Sequence, residues 1–212
     1  MKPTINEIEI AKKIVNDLIE HNFFDAIICE DCDGFYCWRD AKKQKNYLKE
    51  AGLSAHSGET KACIISDKLS NWVIKVGYTY SDDEGRTTTD FCAIEAKNYK
   101  DAIDEGLEEF FAASYELCRV TPPEKYKYEE DIVFFIQEKA EPDDEKTSAT
   151  CEKYTGSDCN DDFDRVESLF QGNEKLDSLF EFIDDWNIND LHSGNFGYTK
   201  EGKVKIIDYS GY

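Results

Sequence analysis

The chain has 212 residues, of which 40% are hydrophobic and 13% aromatic, and its formal net charge is −21. This composition is typical of a globular protein with one or two domains, and it excludes an intrinsically disordered one. The large negative charge repels phosphate backbones, so it argues against nucleic-acid binding through a basic surface. It fits a highly soluble surface, and it equally fits an acidic surface that binds a partner protein.

The sequence contains no segment that predicts contact with a membrane. No apolar run approaches the roughly 20 residues that a membrane span needs. The first stretch, MKPTINEIEIAKKIVNDLIE, is charged and has helical periodicity, without the apolar centre of a signal peptide. We therefore expect a cytoplasmic protein.

The eight cysteines are expected to be reduced in that compartment. Cys29 and Cys32 have a C-x2-C spacing, with Cys37 nearby, but a structural zinc site usually needs a second close pair. Cys151 and Cys159 are the other candidates, and seven residues of a polar stretch separate them. The pattern favours free thiols over a zinc site.

The chain is predicted to begin with a helix and a hairpin. Thr4 and Glu7 form a T-x-x-E capping box, and apolar residues recur at helical spacing over 5–20. The stretch FFDAIICEDCDGFYCW (23–38) has the pattern of two short strands joined at an Asp-Gly turn at 33–34.

The middle of the chain predicts a helix, a hairpin and a long helix. The charged residues 39–51 form the first helix. Two β-rich runs, TKACIISD (60–67) and NWVIKVGY (71–78), then predict a hairpin. Residues 91–117 carry apolar side chains at helical spacing and predict a helix with a break near Gly106.

The final part of the chain predicts mainly helices. DIVFFIQEK (131–139) has the composition of a strand, and the polar residues 140–162 are expected to form a loop. Helices over 163–170 and 173–187 follow, and a strand over 203–208 closes the chain. A sheet-rich half that precedes a helical half is typical of an α+β fold.

Five polar residues stand out in this order of elements. Asp190 and Asn195 lie in NDLHSGN just after a helix, and Asp208 ends the strand KVKIID. Lys75 lies among apolar residues in the strand WVIKVG, and Glu95 lies in the early turns of the next helix. Such groups suit phosphoryl transfer from ATP, in which positioning and charge neutralisation supply most of the catalysis. Asn and Asp oxygens are also ligands that Mg²⁺ prefers.

The motifs resemble those of the protein-kinase-like superfamily, especially its aminoglycoside phosphotransferase and choline kinase branch. DLHSGN (190–195) is similar to the D-x-H-x-x-N loop of that branch. IIDYSG (206–211) is similar to the strand and D-F-G metal motif, and VIKVG (73–77) resembles the V-A-I-K strand. The layout also resembles small kinase-like proteins encoded by phages and bacteria.

This resemblance implies a minimal protein-kinase-like form of the α+β fold. The sheet-rich N-terminal lobe would cover 56–139, and a truncated helical C-terminal lobe would cover 140–212. Residues 1–55 would form an extension with an extra N-terminal helix.

The resemblance also implies a role for each of the five residues, with ATP and Mg²⁺ as cofactors. Asp190 takes the position of the catalytic base, and Asn195 and Asp208 take the magnesium positions. Lys75 takes the position of the phosphate-binding lysine, and Glu95 takes that of its partner.

The sequence departs from the family pattern at three points. Ile188 stands where a His or Tyr usually precedes the catalytic Asp. The stretch SAHSGETKA (54–62) has one glycine, Gly58, where the family has a Gly-rich loop. The chain also ends four residues after Asp208, before the segments that would build a platform for a peptide substrate.

Several of these residues also have a purely structural interpretation. Lys75 could be a strand lysine that faces solvent, and Asp190 and Asn195 could be turn-forming residues. His192 is expected to make a structural hydrogen bond in its loop.

Three functions therefore stay open. The chain could be an ATP-dependent phosphotransferase that acts on a small molecule or a protein. It could be a catalytically inactive pseudokinase that binds a partner protein. It could also be an acidic interaction protein with a role in defence or counter-defence, in which the charge of −21 is the active feature.

Overall fold

The computed structural model describes residues 1–28, 33–79, 90–128, 130–156 and 161–211. The helices are α1 (Ile5–Glu20), α2 (Phe24–Ile27), α3 (Asp33–Asp40), α4 (Lys42–Ala51), α5 (Phe91–Asp104), α6 (Asp144–Thr155), α7 (Asp162–Phe170) and α8 (Leu176–Asp185). The strands are β1 (Leu53–Ser57), β2 (Lys61–Ser66), β3 (Trp72–Gly77), β4 (Ser114–Val120), β5 (Ile132–Glu138), β6 (Glu141–Pro142), β7 (Phe196–Tyr198) and β8 (Val204–Ile206). Short 3-10 helices cover Glu124–Tyr126 and Ser193–Asn195.

The fold is α+β, as predicted. The chain forms two compact units. The first comprises residues 1–93 and 114–138, and the second comprises residues 94–113 and 139–212. No helix in the described part of the chain is long and apolar enough to cross a membrane.

The first unit contains a five-stranded antiparallel sheet with the strand order β1-β2-β3-β5-β4. Its central strand β3 is buried along its whole length, which fits its run of β-branched and aromatic residues. The predicted hairpin over 60–67 and 71–78 is confirmed as β2 and β3, and the predicted strand over 131–139 is confirmed as β5.

Helix α1 starts as its capping box predicts. The Thr4 hydroxyl accepts a hydrogen bond from the Glu7 N–H at 3.3 Å, and the Glu7 carboxylate accepts one from the Thr4 N–H at 2.8 Å. The apolar stripe of α1 is buried and consists of Ala11, Ile14, Val15 and Leu18. The helix packs with this stripe against β4 and β5 of the sheet.

The hairpin predicted over 23–38 is wrong. Helices α2 and α3 occupy the described part of this stretch, and α3 begins at the predicted turn. Phe23 packs edge-on against Trp38, with ring centroids 5.0 Å apart. Short apolar runs of this kind suit a buried helix as well as a strand. Cys29 and Cys32 lie outside the described residues.

The helix predicted over 91–117 consists of two elements. Helix α5 ends at Asp104, and Gly106, at the predicted break, adopts a left-handed φ of 72°. Residues 114–120 form strand β4, which pairs with β5. Pairing with a distant strand therefore overrides the helical spacing of this segment.

The loop predicted over 140–162 contains helix α6, so this prediction is also wrong. The Asp143 side chain caps the helix by accepting a hydrogen bond from the Lys146 N–H at 2.9 Å. Only Thr147 and Cys151 of this helix are buried, so it has no apolar stripe. Cys151 is disulfide-bonded, which contradicts the expectation of free thiols for this residue. Among the other described cysteines, Cys37, Cys63, Cys92 and Cys118 form no disulfide bond.

Candidate functional site

Hairpin β7–β8 brings two of the predicted site residues together in the second unit. Phe196 pairs with Ile206, and the Ile207 N–H donates to the Asn195 carbonyl oxygen at 2.9 Å. Asn195 directly precedes β7, and Asp208 follows the end of β8. Both residues therefore lie at the same end of the hairpin, where both are partly buried.

Asp190 is tied to this end of the hairpin through Asn195. The side-chain Nδ2 of Asn195 donates to the Asp190 carbonyl oxygen at 2.7 Å, and the His192 N–H donates to the same oxygen at 2.9 Å. Asp190 has a φ of 60°, a left-handed conformation that Asp and Asn tolerate better than most residues. Its side chain is exposed. The structure thus gathers Asp190, Asn195 and Asp208 at one place.

His192 has the structural role that its position suggested. Its Nδ1 accepts a hydrogen bond from the Gly194 N–H at 3.0 Å and so caps the 3-10 helix Ser193–Asn195. Because Nδ1 is the acceptor, this nitrogen carries no proton in the bond. The cap fixes the turn between Asp190 and Asn195.

Two residues of α7 hold the loop and were missed by the sequence analysis. The Asp162 carboxylate accepts a hydrogen bond from the Leu191 N–H at 2.9 Å. Arg165 Nη1 donates to the Leu191 carbonyl oxygen at 2.5 Å and to Asp162 Oδ1 at 3.0 Å. Arg165 is buried. An Asp and an Arg three residues apart are ordinary on a helix, so the sequence alone gave no sign of this contact.

The segment after Asp208 is held by residues 98 and 112. Tyr209 is fully buried, and its hydroxyl donates to the Ala112 carbonyl oxygen at 2.5 Å. The Tyr209 carbonyl oxygen accepts a hydrogen bond from Asn98 Nδ2 at 2.8 Å. Gly211 has a φ of 68° and lies against the Asn187 carbonyl, so a Cβ there would clash. These contacts leave Asp208 little freedom of position.

Glu95 lies on the face of α5 that contacts this segment. It precedes Asn98 by three residues, a spacing that puts two side chains on one face of a helix. Both residues are buried. Because Asn98 bonds the residue next to Asp208, the face of α5 that carries Glu95 is turned towards the end of hairpin β7–β8.

Lys75 lies in the first unit, whereas the other four residues lie in the second. On β3 it pairs with Cys63 of β2 and with Phe135 of β5. Its exposed fraction is 8%, so the alternative of a solvent-facing strand lysine is wrong. The stretch 54–62 forms the β1–β2 hairpin, with Gly58 in its turn.

The donor set at the hairpin end is compatible with Mg²⁺. No group of three or more His, Cys, Asp or Glu residues in the described part of the chain could hold a metal. Mg²⁺, however, is often bound by one or two protein side chains together with phosphate oxygens. The Asn195 Nδ2 donates to the Asp190 carbonyl oxygen, and the Asn195 Oδ1 is an acceptor that can face a metal ion. The Asp208 carboxylate accepts a hydrogen bond from the Ser210 hydroxyl at 3.2 Å.

Comparison with known proteins does not identify a family. No family model and no curated protein matches the chain. The structure of the bifunctional kinase-methyltransferase WbdD is similar, with a TM-score of 0.33 and 12% sequence identity. The match covers 72% of this chain and 30% of that one, so the chain spans less than a third of the length of that protein. A likeness of this size does not identify the fold.

Proposed function

We propose that the chain is a kinase-like phosphotransferase that uses Mg²⁺ and ATP. The observation that carries this proposal is the end of hairpin β7–β8, where Asn195 and Asp208 lie on neighbouring backbone segments and Asn195 bonds Asp190. Two oxygen-bearing side chains can hold Mg²⁺, and a nearby exposed carboxylate can take a proton, which are two of the tasks in phosphoryl transfer. Their resemblance to the D-x-H-x-x-N and D-F-G motifs supports the same function.

Each residue has a distinct role in this proposal. Asn195 and Asp208 hold Mg²⁺, which neutralises charge on the phosphate oxygens when it is bound. Lys75 binds phosphate oxygens of the nucleotide, and Glu95 orients that lysine. The two lobes that these roles require would cover 56–139 and 140–212.

Asp190 suits the role of general base. Its backbone is anchored by Asn195 and His192, and the neighbouring Leu191 is anchored by α7, whereas its carboxylate is exposed. A fixed backbone with an accessible carboxylate can accept the proton of an acceptor hydroxyl without reorganisation. The acceptor is a small molecule or a partner protein.

The test measures nucleotide binding and turnover in the same variants. Mg²⁺ with ATP at about 100 times its dissociation constant should add roughly 2.7 kcal/mol to the free energy of unfolding. Asp208→Asn should lose this Mg²⁺-dependent stabilisation. Asp190→Asn should keep the stabilisation and lose ATP consumption, because Asn retains the left-handed backbone but cannot take a proton.

Asp185→Asn, an exposed substitution on α8, is the matched control and should behave like the wild type in both assays. Stabilisation without turnover for any acceptor would indicate a pseudokinase. If Mg²⁺ and ATP cause no stabilisation and no turnover, the proposed nucleotide site is contradicted. The remaining function is then an acidic binding protein, which the net charge of −21 supports.

A further inference from the structure

A groove runs along one face of α6, and none of the five residues proposed for phosphoryl transfer lines it. We call it the α6 groove, and it is lined by Lys146, Ala149, Thr150, Lys153, Tyr154 and Gln171. The five residues from α6 have the spacing of a single helix face. The cavity has a volume of about 540 Å³, which is in the range of small-molecule sites.

The charge of the α6 groove is opposite to that of the whole protein. The net charge is −21, yet the described residues that line the groove include two lysines and no carboxylate. Lys146 and Lys153 are both exposed, and seven residues of helix place their backbones roughly 10 Å apart along the axis. Neither lysine forms an ion pair with another described residue. The groove therefore offers two positive charges, carried by backbone positions roughly 10 Å apart.

The contacts around the two lysines favour binding of an anion. The Lys146 ammonium lies 3.4 Å from the centroid of the Tyr198 ring, so a cation–π contact restricts this side chain before any ligand binds. The Thr150 hydroxyl donates to the Lys146 carbonyl oxygen at 2.8 Å. The Tyr154 hydroxyl donates to the Glu167 carboxylate at 2.9 Å. The ammonium groups remain as donors for a ligand.

We propose that the α6 groove binds a small polyanion, a molecule with a di- or triphosphate chain, and that it does so without a metal ion. A ligand with several negative charges can contact both lysines at once, which one monovalent anion cannot do. Nucleic acid is disfavoured because the strongly negative remainder of the surface would repel a long phosphate backbone. The lysines of this groove differ from Asn195 and Asp208, the residues proposed to hold Mg²⁺.

The test is calorimetric titration of the full chain with sodium tripolyphosphate in EDTA and low salt. Lys153→Gln should weaken binding by roughly tenfold or more, since it removes a charge-assisted contact. Lys153→Arg should retain most of the affinity because it keeps the positive charge. The double variant Lys146→Gln with Lys153→Gln should show no binding. Melting temperatures should stay close to that of the wild type for these exposed positions.

Two further variants decide the location of the site. Lys200→Gln removes an exposed lysine of the same unit outside the groove and should bind like the wild type. Asp208→Asn should also bind like the wild type. The proposal is overturned if tripolyphosphate does not bind, or if Lys153→Gln and Lys200→Gln lose affinity equally, which would show only diffuse charge attraction. Loss in Asp208→Asn alone would place the polyanion at the other site and would overturn it as well.

Discussion

Arg165 donates a hydrogen bond to the Leu191 carbonyl oxygen at 2.5 Å, while Asp162 accepts one from the Leu191 N–H at 2.9 Å. Both polar backbone groups of one residue are thus bound by two side chains of α7. Leu191 directly follows Asp190, so this pair fixes the backbone beside the proposed base. We call Asp162 and Arg165 the α7 clamp.

Removal of the α7 clamp should destabilise the protein. In Arg165→Met, the buried Leu191 carbonyl oxygen and Asp162 Oδ1 lose the hydrogen bonds from Arg165, which should cost about 1–3 kcal/mol of the free energy of unfolding. Urea unfolding measures this quantity. Asp164→Asn changes an exposed residue of the same helix and should have little effect. Equal stability of the two variants would show that the clamp contributes nothing.

Tyr209 should be more sensitive to truncation than to loss of its hydroxyl. Tyr209→Phe removes the hydrogen bond to Ala112 and should cost about 0.5–1.5 kcal/mol. Tyr209→Ala also leaves a cavity beside Phe111, whose ring centroid is 5.0 Å away, and should cost about 3–5 kcal/mol. Chemical unfolding should rank the variants in this order. Tyr36→Phe, at an exposed tyrosine, should match the wild type.

Gly197→Ala should disrupt the pairing of β6 with β7. A Cβ at this position would lie 2.7 Å from the Ala140 carbonyl oxygen, a backbone atom that cannot move without breaking the sheet. The expected loss of stability is about 1–3 kcal/mol, measured by thermal unfolding. Gly58→Ala is the control, because the nearest atom to its Cβ would be 3.7 Å away. A wild-type melting temperature for Gly197→Ala would contradict the packing described for this strand.

Local signals predicted part of the fold. The capping box at Thr4 and Glu7 and the apolar runs of β2 and β3 are complete within a few residues, so their elements were correct. Helix α6 was missed because only Thr147 and Cys151 of it are buried, so apolar side chains do not recur at helical spacing. Strand β4 was missed because only its pairing with β5 makes it a strand.

In the candidate site, too, the residues in short local motifs were predicted and the long-range contacts were not. Asp190, Asn195 and Asp208 could be singled out because their motifs are short and resemble known ones, and their role as a site stays a prediction. The α7 clamp was missed because Asp162 bonds a backbone N–H that lies 29 residues further along the chain. A backbone group takes part in that bond whatever its side chain is, so no residue pattern records it.

Stability should depend on the ionisation of Asp90. Its carboxylate caps α5 by accepting hydrogen bonds from the N–H groups of Cys92 and Ala93 at 3.0 and 3.1 Å. Burial raises the pKa of Asp90 above its ordinary value of 3.8, although these hydrogen bonds and the positive charge of Lys61 partly offset the effect. The folded state therefore holds this proton more tightly than the unfolded state. The stabilisation is fully present below pH 3.8 and is lost as the pH rises through the folded pKa.

Asp90→Asn tests this dependence. Asn keeps the capping acceptor but has no charge to bury, so the variant should be more stable than the wild type at neutral pH. The difference should shrink as the pH falls towards 4, and melting temperatures measured between pH 7 and pH 4 would show it. Asp104→Asn, at an exposed position of the same helix, should follow the wild type throughout. A variant less stable than the wild type at pH 7 would mean that the charged cap outweighs burial.

The contacts of residues 94–113 with β8 and Tyr209 have a consequence for synthesis of the protein in the cell. The Ile206 N–H donates to the Phe110 carbonyl, and Tyr209 bonds Ala112, which lies 97 residues earlier. At about 5–20 residues per second, a ribosome needs roughly 5–20 s to make the chain between these partners. During that interval the apolar surface of Phe110 and Phe111 has no strand to cover it. The nascent chain should therefore depend on chaperones until Ile206 and Tyr209 emerge from the ribosome.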